Sequence, residues 1–241
     1  QFDHRNTQLH DLDDGLLKDY DDSLKNFQKE HNLTIFHLMG QHVNYKQRYR
    51  TKQARFWACS YEDKRPELTN AQRKMLSHYD NATLYNDSIV AQIVKRFQKQ
   101  DAIVIYVPDH GEECYEENRG FICRNHSAEI DWPLAHYEFE IPFWIYCSPK
   151  YIRNHRDIYR QIRKAKDKRF MTDALPHLLL YLAGIETPTY KEEYNILSPK
   201  YDEMRPRILK NSADYDKLRD AHLEKIKKEE SKKVKKKERR N

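Results

Sequence analysis

Ala102-Ile103-Val104-Ile105-Tyr106-Val107-Pro108-Asp109-His110-Gly111-Glu112 is the stretch that decides the reading of this chain. A run rich in β-branched and aromatic residues ends at a proline, which cannot donate to a sheet ladder, and a polar turn follows at once. The pattern predicts a buried strand running into a loop. Upstream, Met75, Leu84, Ile89, Val90, Ile93, Val94 and Phe97 recur at spacings that suit one or two helices over residues 70–99, with Thr69 as N-cap and a break near Asp80-Asn81. Helix, apolar strand and polar turn together make the repeating unit of a parallel α/β sheet, in which ligands sit outside the carboxyl ends of the strands. Asp109 and His110 stand at such an end.

The same logic extends outward. Leu9, Leu12, Leu16, Leu17, Tyr20, Leu24 and Phe27 predict an amphipathic surface helix within residues 9–30. Leu33-Thr34-Ile35-Phe36-His37-Leu38-Met39 predicts a second buried strand closed by Gly40, with His37 packed in it, and residues 41–66 predict a long loop. A strand over about 139–146 and a helix over about 172–183, stopped by Gly184, complete the ordered part. Beyond Asn211 the apolar content collapses. We therefore expect a folded domain over 1–210 and a basic tail over 211–241, either a solvated helix or disordered.

Composition agrees with that division, since 38% hydrophobic residues coexist with 34% charged residues and a mean hydropathy of -1.05. The formal charge of +6 lies in the tail, where Lys217 to Asn241 carries 12 Lys and Arg against 5 Asp and Glu. The folded part is close to neutral, so no nucleic-acid partner is expected. No run of about 18 apolar residues exists and Gln1-Phe2-Asp3-His4-Arg5 has no signal character, so the chain as given is expected neither to span nor to target a membrane. Cys59, Cys114, Cys123 and Cys147 form no C-x-x-C pair, which argues against a zinc knuckle and leaves one or two disulfides open.

An adjacent carboxylate and imidazole at a strand end, Asp109 and His110, offer two ligands to zinc or manganese, although a lone pair of this kind is more often a turn cap beside a surface histidine. His42, Lys46 and Arg48 follow the other predicted strand, where they can donate to phosphate oxygens or simply form a basic loop. Two such clusters at the carboxyl ends of two parallel strands would open onto one edge of a sheet. At this point a family resemblance is visible. His37-Leu38-Met39-Gly40-Gln41-His42 followed by Tyr45-Lys46-Gln47-Arg48-Tyr49 resembles the H-x-M-G-S-H and tyrosine-rich K-R-Y-P signature of phosphoethanolamine transferases, in the alkaline phosphatase and sulfatase superfamily. Pro108-Asp109-His110-Gly111-Glu112 is similar to their S-D-H-G-E. Residues 79–87, 140–145 and 173–185 resemble further family segments in the same order, so the resemblance covers about 9–200.

The resemblance implies a three-layer α/β/α sandwich with a largely parallel sheet, whose N-terminal part is missing from this chain. It implies Asp109 and His110 as ligands of a catalytic zinc, or of manganese or another divalent metal. His42 would lie beside the transferred phosphoryl group, with Lys46 and Arg48 binding substrate. His126, with His136 as a rival, would match a further family histidine. The family's nucleophilic threonine and another acidic ligand find no match here, because neither Thr7 nor Thr34 follows an apolar strand. The implied reaction moves phosphoethanolamine from phosphatidylethanolamine to lipid A or another envelope glycan. The parent protein would sit in the inner membrane through a region absent here, with its catalytic domain in the periplasm. Two readings compete: another hydrolase of the superfamily, and a non-catalytic module that binds anionic ligands. A sulfatase is disfavoured, since Cys147-Ser148-Pro149-Lys150-Tyr151 lacks the arginine of C-x-P-x-R.

Overall fold

The computed structural model describes residues 10–23, 31–125 and 129–238. Two compact units emerge, Gln1–Lys99 and Gln100–Asn241. In the first, helices α1 (Asp14–Ser23) and α2 (Asn70–Phe97) flank a long segment bearing single 3-10 turns at Tyr45–Gln47, Thr51–Gln53 and Ala58–Tyr61. Helix α1 buries Leu16 and Leu17, the stripe its spacing predicts, while positions 24–30 of the expected helix lie outside the described residues. Tyr20, Phe36 and Phe97 join ring to ring at 5.3, 5.5 and 6.5 Å, and Arg96 grips Asp21 through two hydrogen bonds of 2.8 and 2.7 Å.

Helix α2 starts where its sequence says it should. Thr69 Oγ1 accepts from the Gln72 amide at 3.3 Å while Gln72 Oε1 accepts from the Thr69 amide at 2.7 Å, a reciprocal cap. The break expected near Asp80-Asn81 does not occur. Asparagine usually interrupts helices by competing for its own backbone. Here Asn81 is buried, its Oδ1 accepts from the amides of Arg55 and Phe56 at 2.7 and 3.1 Å, and its Nδ2 donates to the carbonyls of Phe56 and Ser77 at 2.8 and 2.7 Å. The loop supplies the partners that the helix backbone would otherwise lose.

Residues 33–39 form no strand, and Leu33 and Ile35 are 79% and 76% exposed. A strand needs a partner ladder to bury its peptide groups, and among the described residues none pairs with this segment. His37 is accordingly exposed rather than packed.

The second unit contains β1 (Ile103–Tyr106), β2 (Glu113–Cys114), β3 (Phe121–Cys123), α3 (Trp132–Phe139), β4 (Trp144–Cys147), α4 (Pro149–Asn154), α5 (Arg156–Ala165), α6 (Leu175–Leu182), β5 (Ile208–Leu209), β6 (Ala213–Asp214) and α7 (Tyr215–Glu238). The mixed α/β class holds. The strand pairs among the described residues, β1 with β4, β2 with β3 and β5 with β6, are all antiparallel, so the largely parallel sheet is not seen in them. Strand β1 meets β4 in the register Ile103↔Cys147 to Tyr106↔Trp144, because a hairpin and α3 return the chain in the opposite direction. The strand predicted over 139–146 starts later, since Asp131 accepts from the Leu134 amide at 3.0 Å and caps a helix that takes up Phe139.

Fully buried Ser148 ties off this pair: its hydroxyl donates to the Gln100 carbonyl at 2.6 Å and accepts from the Tyr151 amide at 3.0 Å, capping α4. Helix α6 ends at Gly184 with φ +64°, as its sequence predicts. Tyr215 and Leu218 at the start of α7 pack with Ile130, Leu134 and Ala135, whereas residues 223–233 of that helix are exposed. Among the described residues no two cysteines are joined in a disulfide. Among the described residues, no helix is long and apolar enough to cross a membrane.

Asn81→Ala removes the acceptor for two amides and a donor for two carbonyls, so it is expected to lower stability by about 2–3 kcal/mol. A urea unfolding midpoint, compared with wild type, checks this.

Candidate metal and phosphoryl site

In the second unit the chain leaves β1 through Val107 and Pro108 and turns at Asp109-His110-Gly111. Asp109 Oδ1 accepts from the His110 amide at 3.1 Å, and its side chain is 86% exposed. His110 Nδ1 lies 2.8 Å from the Gly111 carbonyl, an acceptor only, so Nδ1 carries a proton and the neutral ring presents its lone pair on Nε2. That Nε2 lies 3.6 Å from Asp109 Oδ2 and meets Nη1 of Arg124.

Gly111 explains why the turn can sit where it does. Its amide donates to the Glu138 carbonyl at 2.8 Å, and a Cβ added to it would stand 2.1 Å from the Tyr137 carbonyl oxygen. Only glycine lets the C-terminal end of α3 approach so closely. Glu138 is buried, and its Oε1 accepts from the Asn125 amide at 2.7 Å, so the same helix end also holds the segment after β3. Between these anchors, fully buried Glu113 takes Arg119 Nε at 2.8 Å, and Arg119 Nη1 reaches Asp131 at 2.7 Å. The Glu113 carboxylate, with Asp131 behind it, holds the Arg119 pKa above its already high ordinary value. The intervening loop is turned by Tyr115, Glu117 and Gly120 at φ +70°, +49° and +88°.

In the first unit, buried Asp13 accepts the amides of Met39 and Gly40 at 3.0 and 2.9 Å, one on each carboxylate oxygen. Gly40 (φ +52°) and Asn44 (φ +69°) bend the chain on either side of His42. His42 Nδ1 lies 3.4 Å from the Val43 carbonyl. Arg48 donates from Nε to the His42 carbonyl at 3.1 Å and from Nη2 to the Val43 carbonyl at 3.3 Å, so it braces the loop from within. Lys46 is exposed. Gln41, standing where the family signature has serine, donates to Thr83 Oγ1 at 3.1 Å.

The structure thus brings Asp109 to His110 and Arg48 to His42. His126 lies outside the described residues. Its rival His136 is stacked on Trp132 at 5.5 Å, with Nδ1 3.0 Å from Glu140 Oε1 but without a hydrogen bond's alignment. Sequence reading missed Asp13, Glu113, Arg119, Arg124 and Glu138. Charged residues of this kind are common, and only their burial or their partner marks them.

Zinc can be tested against these donors. A carboxylate oxygen and an imidazole lone pair are both zinc ligands, and two such ligands on a tetrahedral ion lie about 3.3 Å apart, close to the separation observed here. A main-chain carbonyl on the second ring nitrogen is also the usual support of a ligating histidine. Among the described residues no group of three or more His, Cys, Asp and Glu converges, so the pair would supply only part of a coordination shell.

The sulfatase family model matches residues 3–185. The phosphoethanolamine transferase EptC of Escherichia coli K12 is 30% identical over 202 residues, covering 83% of this chain and 33% of that protein. The Kdo(2)-lipid A phosphoethanolamine 7''-transferase of the same strain is 32% identical over 162 residues, covering 66% of this chain and 27% of that protein. The crystal structure of the C-terminal periplasmic domain of EptC from Escherichia coli in complex with zinc has a TM-score of 0.70 at 28% identity, covering 90% of this chain and 60% of that one. The chain spans about a third of the length of the curated relatives it matches.

Gly111→Ala is expected to destabilise the protein by about 1–3 kcal/mol, as overpacking against backbone does. Thermal unfolding reads the loss, and faster hydrogen exchange of the residue-111 amide localises it.

Proposed function

The chain belongs to the sulfatase family, with phosphoethanolamine transferases as its relatives, and from that premise we propose that it forms the C-terminal part of the catalytic domain of such a transferase. Its reaction moves phosphoethanolamine from phosphatidylethanolamine to lipid A or another envelope glycan. The whole protein is held at the inner membrane with the catalytic domain in the periplasm. Residues 1–210 belong to that domain and 211–241 form a basic appendage whose first residues, Tyr215 and Leu218 among them, pack against it. In this reading the catalytic domain is a three-layer α/β/α sandwich, and its largely parallel strands come from the two-thirds of the relatives that the chain does not span. The nucleophilic threonine and the remaining metal ligands come from there too.

One observation carries the reading: a carboxylate and an imidazole lone pair, of the right chemical types and 3.6 Å apart, stand at the end of an apolar strand with their turn locked by Gly111. Asp109 and His110 would hold zinc, which when bound stabilises the charge that develops on phosphoryl oxygens and acidifies the attacking hydroxyl. His42 donates to a phosphoryl oxygen from a loop that Asp13 and Arg48 hold in shape. Lys46 adds exposed positive charge for the phosphate, and His126 serves as a second proton donor.

The test uses vesicles containing phosphatidylethanolamine and lipid A, with mass spectrometry reading the added phosphoethanolamine. His110→Ala and Asp109→Ala are expected to lower transfer about 100-fold or more and to reduce bound zinc. Undiminished transfer by both variants would falsify the assignment.

A further inference from the structure

Arg124 sets a guanidinium against the very imidazole nitrogen that the zinc reading requires. Its Nη1 meets His110 Nε2, while Nδ1 of the same ring faces the Gly111 carbonyl at 2.8 Å. An imidazole with its proton committed to a carbonyl offers Nε2 as an acceptor alone, and arginine has donors alone. The two groups are therefore matched in chemistry as well as in position. The contact is also built into the fold. Cys123 at φ +63° turns the chain just before Arg124, and just after it the Asn125 amide is fixed at 2.7 Å to Glu138, which is 3% exposed. Lys210 Nζ closes on the Asn125 carbonyl at 3.2 Å. Arg124 is held on both sides along the chain.

A lone pair on nitrogen takes one occupant. We propose that Arg124 is a gating and positioning residue of the site: without metal its guanidinium holds the His110 Nε2 lone pair and keeps the ring in its ligating tautomer, and a divalent cation binds His110 only by displacing it. One cation stands in for another beside the Asp109 carboxylate. Once displaced, the guanidinium remains within a side-chain length of the ligands, and its planar fork suits two oxygens of a phosphate ester. The inference rests on the metal reading above and adds to it a named competitor for the metal.

Isothermal titration of zinc into chelator-treated protein compares wild type with Arg124→Ala and with Lys150→Gln, which removes an exposed positive charge from helix α4. Arg124→Ala is expected to tighten zinc binding about tenfold, the size of one hydrogen bond lost to competition. Lys150→Gln should leave the affinity within about twofold, because an exposed charge acts weakly. In metal-free protein, the NMR shift of the His110 Nε2 nitrogen should move in Arg124→Ala, a change that a distant charge effect would not produce. If the alanine variant unfolds, Arg124→Met, which keeps most of the length without a hydrogen-bond donor for Nε2, takes its place. Wild-type zinc affinity in the Arg124 variant, weaker affinity, or an equal gain in Lys150→Gln overturns the gate alone. Zinc binding by none of the proteins overturns the metal reading and the gate with it.

Discussion

Gly111 has no side chain, and the space a Cβ would take is occupied by the carbonyl oxygen of Tyr137. From that close approach follows the hydrogen bond between the Gly111 amide and the Glu138 carbonyl, which pins the turn after β1 to the end of α3. The consequences reach in both directions. Behind the turn, the Gly111 carbonyl orients His110; ahead of it, the chain is aimed into β2, where Glu113 becomes buried. A larger residue would separate helix and turn, and the carboxylate, imidazole and guanidinium would lose their common frame. The site is a property of backbone contact before it is one of side-chain chemistry.

Buried carboxylates do the complementary work. Desolvating such a group is unfavourable unless it is paired or accepts hydrogen bonds. Asp13 meets that condition with two main-chain amides, Glu138 with the Asn125 amide, and Glu113 with Arg119. In each case the partner belongs to a loop that has little apolar surface of its own. The loops also contain residues at positive φ, among them Asn44, Tyr115, Glu117 and Cys123, conformations that are unfavourable by about 1–3 kcal/mol each outside glycine. Fixed acceptors at the loop ends are what keep these turns populated, which explains why charges are buried around the candidate ligands rather than in the apolar clusters around Leu134 and Leu178.

What was legible in the sequence was whatever depends on neighbours along the chain. The Thr69 cap, the buried stripe of α1, the strand before Asp109 and the stop at Gly184 each follow from residues within a turn or two of one another. The failures share the opposite cause. Asn81 reads as a helix breaker because asparagine competes for local backbone, yet its partners are Arg55 and Phe56, about 25 residues away. The run from Leu33 to Met39 reads as a strand because its residues suit one, but a strand also needs a ladder partner and none is present among the described residues. Strand direction failed for the same reason: β1 is antiparallel to β4 because of where the intervening hairpin and α3 send the chain, which β1 itself does not encode.

The arginines carry this point to the level of function. In the sequence Arg48 stands out and Arg124 does not, since Arg48 sits in a basic loop beside a histidine and Arg124 follows a short strand of no special character. Their surroundings reverse that order. Arg48 has main-chain carbonyls within reach on its own loop, and strong acceptors of that kind take up its Nε and one Nη. A guanidinium so engaged stabilises the loop at the expense of its capacity to grip an anion. Arg124 directs an Nη at a ring nitrogen, a weaker acceptor than a carboxylate and one that a metal ion can claim. A guanidinium nitrogen set against a ring nitrogen can yield that contact to a metal ion, whereas one bound to its own backbone carbonyls holds its loop. The nature of the acceptor, more than the count of positive charges in a segment, therefore decides which basic residues of this chain can take part in chemistry.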